Sequence, residues 1–318
     1  MENSNDEQSR ASLMGIKYYK SIISSGPMTA GFYRFKDVFQ IIPSDYREDG
    51  DRFGRSYYEL EFSDACQMFG QSESSNLSEE VYARRAHLDH LKELIALIYV
   101  STNYYCELHY DRKRQILPSE QKLIDGFSSI EKYLPIRKVI GRVTCRQNFN
   151  TSFLDIDSQA DIYFENYFKL NVAARKRYNS SIFLYQAMRK VMVESTSMAI
   201  VGLISAIENI MDYEALRNDE VFERCSSCKV KQYGLTRRFR DFMLAYSDVE
   251  SGDAKKLINS YYERRSKIAH AGALLDMDVV LSEFSMRQHR EIYNEIESLV
   301  RIALYNYLLK YRFDDTAE

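Results

Sequence analysis

The residues best suited to chemistry lie in Tyr261-Tyr262-Glu263-Arg264-Arg265-Ser266-Lys267-Ile268-Ala269-His270-Ala271-Gly272. On a helical wheel Ala254, Leu257, Ile258, Tyr261, Ile268 and Gly272 share one side, the apolar stripe of an amphipathic helix. Arg265 falls inside that stripe, where a buried guanidinium needs either an exit to water or an anion to hold. His270 follows five residues later, about 140° further round the helix. Ser266 and Lys267, at i−4 and i−3, share its face. One straight helix therefore cannot aim Arg265 and His270 at the same atom. Either the helix breaks near Ala269 to Gly272, where small residues permit a close approach or a C-cap, or a second copy of the chain supplies the complementary half.

The stretch resembles the R-x4-H signature of the HEPN superfamily. Its surroundings, a Tyr followed by Arg-Ser-Lys-Ile-x-His-x-Gly, look like the HEPN domains of ApeA-type phage-defence proteins. Arg85 and His90 repeat the bare spacing without the small-residue stop and read as a solvated helical face. The resemblance covers the C-terminal half and implies a helical bundle that pairs with a second copy, so that Arg and His of both chains line one cleft and cut RNA without a metal. His270 would then move a proton to or from a ribose 2′-hydroxyl, and Arg265 would hold the scissile phosphate bidentately. Lys267 would add positive charge, and Ser266 would orient the imidazole or bond the phosphate. The product would carry a 2′,3′-cyclic phosphate, which confines the activity to RNA. By the same resemblance the setting is a bacterial defence or toxin system, with an antitoxin or trigger protein as a further partner.

Two readings of Glu208 stay open. It sits in Met198-Ala-Ile-Val-Gly-Leu-Ile-Ser-Ala-Ile-Glu-Asn-Ile-Met, the most apolar helix of the chain, where a lone carboxylate needs a partner. A Glu208 to Arg265 pair would be either pure structure, with His270 merely capping its helix, or the support that aims the arginine, together with Tyr261.

Arg224, Lys229, Lys231, Arg237, Arg238 and Arg240 form a run without an acidic residue between 224 and 240. Interleaved with Tyr233 and Phe239, and joined by Arg264, they are the expected RNA-contacting residues. Cys225 and Cys228 make a C-x2-C knuckle, but no second pair completes four ligands, so it reads as a half-site or a relic, and no cofactor is expected. His87 and His90, with Asp89 and Glu93, read as a wet, charged helix face. P-loop, G-x-G-x-x-G, G-x-S-x-G and H-E-x-x-H motifs are lacking, which leaves ATPase, dehydrogenase, esterase and zincin chemistry without support.

These residues need a scaffold. The chain has 318 residues, 45% hydrophobic and 28% charged, enough for two domains or one large one. A net charge of −3 rules out binding of polyanions by bulk charge, so any nucleic-acid contact must be local. Four prolines and twelve glycines favour helix. Residues 1–12 read as a disordered tail, 13–150 as an α+β module, to which the resemblance assigns a sensing or regulatory role, and 151–318 as an all-α bundle. In the module, alternation predicts strands over 31–42, 56–62 and 104–110 and a helix from about 76 to 101, while 122–150 has no clear period. In the bundle, helices are predicted at about 158–174, 179–194, 196–215, 233–247, 253–270 and 285–312. No apolar run spans a bilayer, and five scattered cysteines suit a reducing compartment, so a cytoplasmic protein is expected.

Overall fold

The computed structural model describes residues 17–25, 31–46, 56–64, 79–102, 105–108, 122–139, 155–218, 234–249, 253–279 and 283–313. The chain is mainly helical, with a small mixed sheet in its N-terminal part. The tail, 1–12, lies outside the described residues. Two compact units result, one drawn from Met1–Ile95, Tyr104–Lys138 and Phe149–Ile156, the other from Ala96–Asn103, Val139–Asn148 and Asp157–Glu318.

The first unit is built on strands β1 (Tyr18–Ser25), β2 (Gly31–Phe35), β3 (Phe39–Pro43), β4 (Ser56–Ser63), β5 (Cys106–Leu108), β6 (Lys122–Ile124) and β7 (Leu134–Pro135), with the part of helix α1 (Glu79–Ser101) up to Ile95. They run in the order β5-β1-β4-β3-β2-β7, with β6 also on β1, and only the β2–β7 pair is parallel. The registers Tyr19↔Phe62 and Phe39↔Phe62, with the two-residue period of a strand, put Tyr19, Ile23, Tyr58, Leu60, Phe62, Phe39, Ile41, Tyr33 and Phe35 on one face. All are buried. The opposite face carries Lys20 paired with Glu59 at 3.0 Å, and a fully buried carboxylate, Glu61. Glu61 accepts from Gln40 Nε2 at 2.6 Å and from the Ser128 amide and hydroxyl at 2.8 and 2.5 Å, which ties the 125–133 segment across the sheet. Two short strands, β8 (Arg137–Val139) and β9 (Asp155–Asp157), pair with each other.

One expected strand is in fact two. The alternation over 31–42 continues through a tight turn at Lys36–Val38, where Lys36 takes a left-handed φ of 46° without a glycine or asparagine to announce it. Phe35 and Phe39 pair across that hairpin on the same face, so the period of two survives the reversal.

In the second unit, α2 (Ala160–Lys169), α3 (Val172–Glu194), α4 (Thr196–Arg217), α5 (Leu235–Tyr246), α6 (Ala254–Ala271), the single turn α7 (Asp276–Val279) and α8 (Glu283–Leu309) form a bundle around α4. Helix α4 buries Ala199, Ile200, Leu203, Ile204, Ala206, Ile207, Ile210 and Met211, an apolar surface too wide for one neighbour. It packs on α3, α5, α6 and α8. Gly202 permits the close approach to α3, since a Cβ there would lie 2.0 Å from Met188 Sδ. Tyrosine fills much of the remaining core, and each buried hydroxyl needs a partner. Tyr178 donates to Leu304 O at 3.1 Å, which leaves Tyr163 to donate to Tyr178 at 3.0 Å. Glu297 accepts from both Tyr99 and Tyr185, whose rings stack with centroids 4.9 Å apart. Burial pushes the hydroxyls of Tyr163, Tyr178 and Tyr185 up, which keeps them donors.

The N-terminus of α4 is closed from outside the helix. Asp278 of α7 accepts from the Thr196 and Ser197 amides at 2.9 and 2.7 Å and from Ser195 Oγ at 3.0 Å. Ser195 itself caps the helix through the Met198 amide at 3.3 Å. Burial alone would raise the Asp278 carboxyl, but the donors of Ser197, Ser195 and Thr196 outweigh it and hold the group below its ordinary value. A lowered folded value means the stabilisation is complete above the unfolded value, near 3.9, and is lost as pH falls through the folded one. Asp278→Ala is expected to cost about 1–2 kcal/mol at pH 7, on the scale of other helix caps. In denaturant melts the gap to wild type should close below about pH 4. A gap that persists undiminished at pH 2 would exclude this role of the carboxylate.

Candidate functional site

Helix α6 carries the two residues singled out by sequence. It follows Asp253 and runs unbroken from Ala254 to Ala271, where Gly272 takes a left-handed φ of 64° and its amide closes on Ile268 O at 3.1 Å. A β-carbon would strain that conformation, which is why glycine ends the helix. The helix thus ends within the expected stretch of Ala269 to Gly272, at a C-cap that lies beyond His270. Arg265 and His270 therefore diverge on one helix, as the five-residue spacing requires.

Arg265 turns into the bundle. Its Nη2 donates to Glu208 Oε2 at 2.7 Å, and the two side chains are 19% and 15% exposed. This is the pair anticipated from the apolar setting of Glu208. The second oxygen of that carboxylate accepts the Tyr262 hydroxyl at 2.9 Å, and the guanidinium carbon lies 5.9 Å from the Tyr262 ring centroid. Tyr262, not Tyr261, is thus the tyrosine that meets the arginine. Tyr261 is buried, and burial together with Glu295 pushes its hydroxyl up. Tyr262 was legible in one respect: it precedes Arg265 by three residues, a spacing that puts both on one side of a helix.

His270 is exposed, and among the described residues its imidazole has no hydrogen-bond partner. Ser266 is half-buried and makes no bond to it. Lys267 is exposed and pairs with Glu263 at 2.8 Å, an i, i+4 pair open to solvent and screened by it. The ammonium holds the Glu263 carboxyl below its usual value. Lys267 is thus available to an anion, in competition with one carboxylate.

The basic run is less open than its count of charges suggests. Arg224, Lys229, Lys231, Cys225 and Cys228 lie outside the described residues. On α5, Arg238 is turned inward, bonded to Met211 O at 3.0 Å and within 3.5 Å of Asp212. Arg237 and Arg240 remain further out and share Asp241, at 3.7 and 3.1 Å. Arg264 is half-buried on α6. The expected absence of acidic residues ends one position too early, and the neighbouring helix supplies another.

The expectation of a wet face around His90 is corrected. His90 and Glu93 are 3% and 4% exposed, with Nδ1 and Oε2 3.4 Å apart, and the imidazole packs edge-on against Phe62 at 5.6 Å between centroids. Asp89, paired with Lys92 at 3.7 Å, does face outward on α1. The burial comes from the sheet, a long-range partner that helix periodicity does not register. Side-chain surroundings of Arg85 and His87 lie outside the description.

No family model, curated protein or solved structure matches the chain. Among the described residues no cluster of three His, Cys, Asp or Glu side chains is arranged to hold a metal, and no helix is long and apolar enough to cross a membrane.

Proposed function

We propose that the chain is a HEPN-type endoribonuclease that cleaves RNA by transesterification without a metal. The carrying observation is the division of α6: His270 stands exposed at its capped end, unpartnered among the described residues, while Arg265, held by Glu208, keeps 19% of its side chain open. In this reading the 2′-hydroxyl oxygen attacks the adjacent phosphorus and the bond to the 5′-oxygen breaks. The ends are a 2′,3′-cyclic phosphate and a 5′-hydroxyl. One imidazole takes the 2′ proton or gives a proton to the leaving oxygen. Arg265 and Lys267 stabilise the charge that develops on the phosphoryl oxygens, and Ser266 offers a hydroxyl beside them.

Because α6 is unbroken, a second copy completes the site. The end of the bundle beyond His270 exposes Val193, Met198, Leu274 and Val279, four aliphatic side chains 46 to 81% open to solvent, which suits it to cover by another chain. The N-terminal unit would sense a trigger or restrain the nuclease, with an antitoxin or trigger protein as its partner. The Arg265–Glu208 ion pair, which engages the guanidinium in the resting chain, favours one other reading, a non-catalytic HEPN scaffold that binds RNA, a nucleotide or a protein.

Incubating the purified protein with mixed RNA in EDTA tests the proposal. The expected products end in 2′,3′-cyclic phosphate, and a substrate with deoxyribose at the cleaved position stays intact. Cutting of that deoxy substrate, or products with 3′-hydroxyl ends, would remove the 2′-hydroxyl mechanism.

A further inference from the structure

Arg265 is met on one arm only. Its Nη2 is bonded to Glu208, whereas its Nε is buried and has no acceptor among the described residues. A carboxylate facing an arginine commonly takes two nitrogens in parallel, a fork that is stronger and more directional than a single bond. Glu208 does not complete it; its Oε1 accepts the Tyr262 hydroxyl instead. Burial, with Glu208 adding to it, pushes that hydroxyl up to about 12, so Tyr262 stays a donor at neutral pH. The same residue flanks the guanidinium with its ring and holds the oxygen that would finish the fork.

We propose that Tyr262 is a positioning residue that keeps the Arg265–Glu208 pair one-armed, so that Arg265 can be handed from Glu208 to a phosphate group. A completed fork would satisfy the guanidinium inside the bundle and oppose its release. The half-made pair leaves a buried donor unsatisfied, which raises the energy of the resting arrangement and favours an incoming acceptor. That the phosphate belongs to RNA rests on the reading given above; the hand-over itself requires only a phosphoryl oxygen.

The test uses the full chain and inorganic phosphate. The Nε–H signal of Arg265, assigned in nitrogen–proton spectra by its loss in Arg265→Lys, is followed during phosphate titration of wild type, Tyr262→Phe and Glu208→Gln. Tyr262→Phe frees Oε1 to reach Nε, so the Nε–H proton should move downfield and phosphate affinity should fall about fivefold, the worth of roughly one hydrogen bond. Glu208→Gln removes the competing charge but keeps an acceptor for Tyr262, and should tighten phosphate by a similar factor. A signal that does not move in Tyr262→Phe overturns the proposal, and so does equal phosphate affinity in all three proteins. RNA cleavage is scored apart from these signals: a chain that shows the shifts but never cuts RNA keeps the latch and loses the ribonuclease.

Discussion

Substituting His270 by alanine is expected to lower RNA turnover by roughly a hundredfold to ten-thousandfold, the range contributed by a positioned general acid or base. That loss corresponds to about 3–5 kcal/mol of transition-state stabilisation. The fold should scarcely notice, since His270 is exposed at the end of α6 and has no partner among the described residues, and surface changes of that kind stay within about 0.5 kcal/mol. The discriminating result is therefore a pair of measurements, single-turnover cleavage and thermal melting, on the same protein. A large kinetic loss with an unchanged melt and unchanged mass in solution supports catalysis. Unchanged cleavage removes His270 from the mechanism, and a fall to monomer gives the scaffold reading the better claim.

The bundle was legible in the sequence because its information is local. Apolar residues at helical spacing located α4 to α6 and α8 to within a few residues, and Gly272 marks a cap that needs no distant partner; α3 begins at Val172, seven residues ahead of the expected 179, because the break falls at Leu170–Asn171, where Asn171 caps the new helix. The N-terminal sheet was read less well. Strand β1 lies at the centre, between β4 and the two short strands β5 and β6, and its pairings join residues from about 30 to more than 100 positions apart. Neither the turn at Lys36 nor the burial of His90 leaves a compositional trace. Each is decided by what the sheet brings close.

At the site, the same distinction separates what was read from what was not. Arg265 in an apolar stripe and Glu208 in the most apolar helix each demanded a partner, so their meeting follows from the cost of burying a lone charge. The choice between Tyr261 and Tyr262 turned on which side of α6 faces α4, a matter of packing. The arginines of α5 were counted as free because charge was summed along the chain. Asp212 comes from another helix, and Asp241 stands one residue beyond the run. Bidentate grip of a phosphate by Arg265, natural for an isolated guanidinium, must compete with Glu208 in the folded chain.

Mixing two inactive proteins is the decisive experiment on how the site is assembled. Arg265→Ala keeps the imidazole and loses the guanidinium; His270→Ala does the reverse. In one chain the two groups point about 140° apart on an uninterrupted helix, so neither variant can repair itself. If the working cleft draws arginine from one copy and histidine from another, subunit exchange creates a hybrid with one complete set. Random pairing at equal concentration makes about half the dimers hybrids, each with one of two sites restored, so activity should return to roughly a quarter of wild type. Restoration should grow with the time allowed for exchange, and it should vanish when Val279→Glu and Met198→Glu are added to both chains, because charge on that aliphatic patch opposes its cover by a second copy. Arg265→Ala also leaves Glu208 without its cation, so its melting temperature must be measured alongside. Two folded variants that stay inactive after complete exchange would mean that each chain works alone, and that Arg265 and His270 do not serve one phosphate.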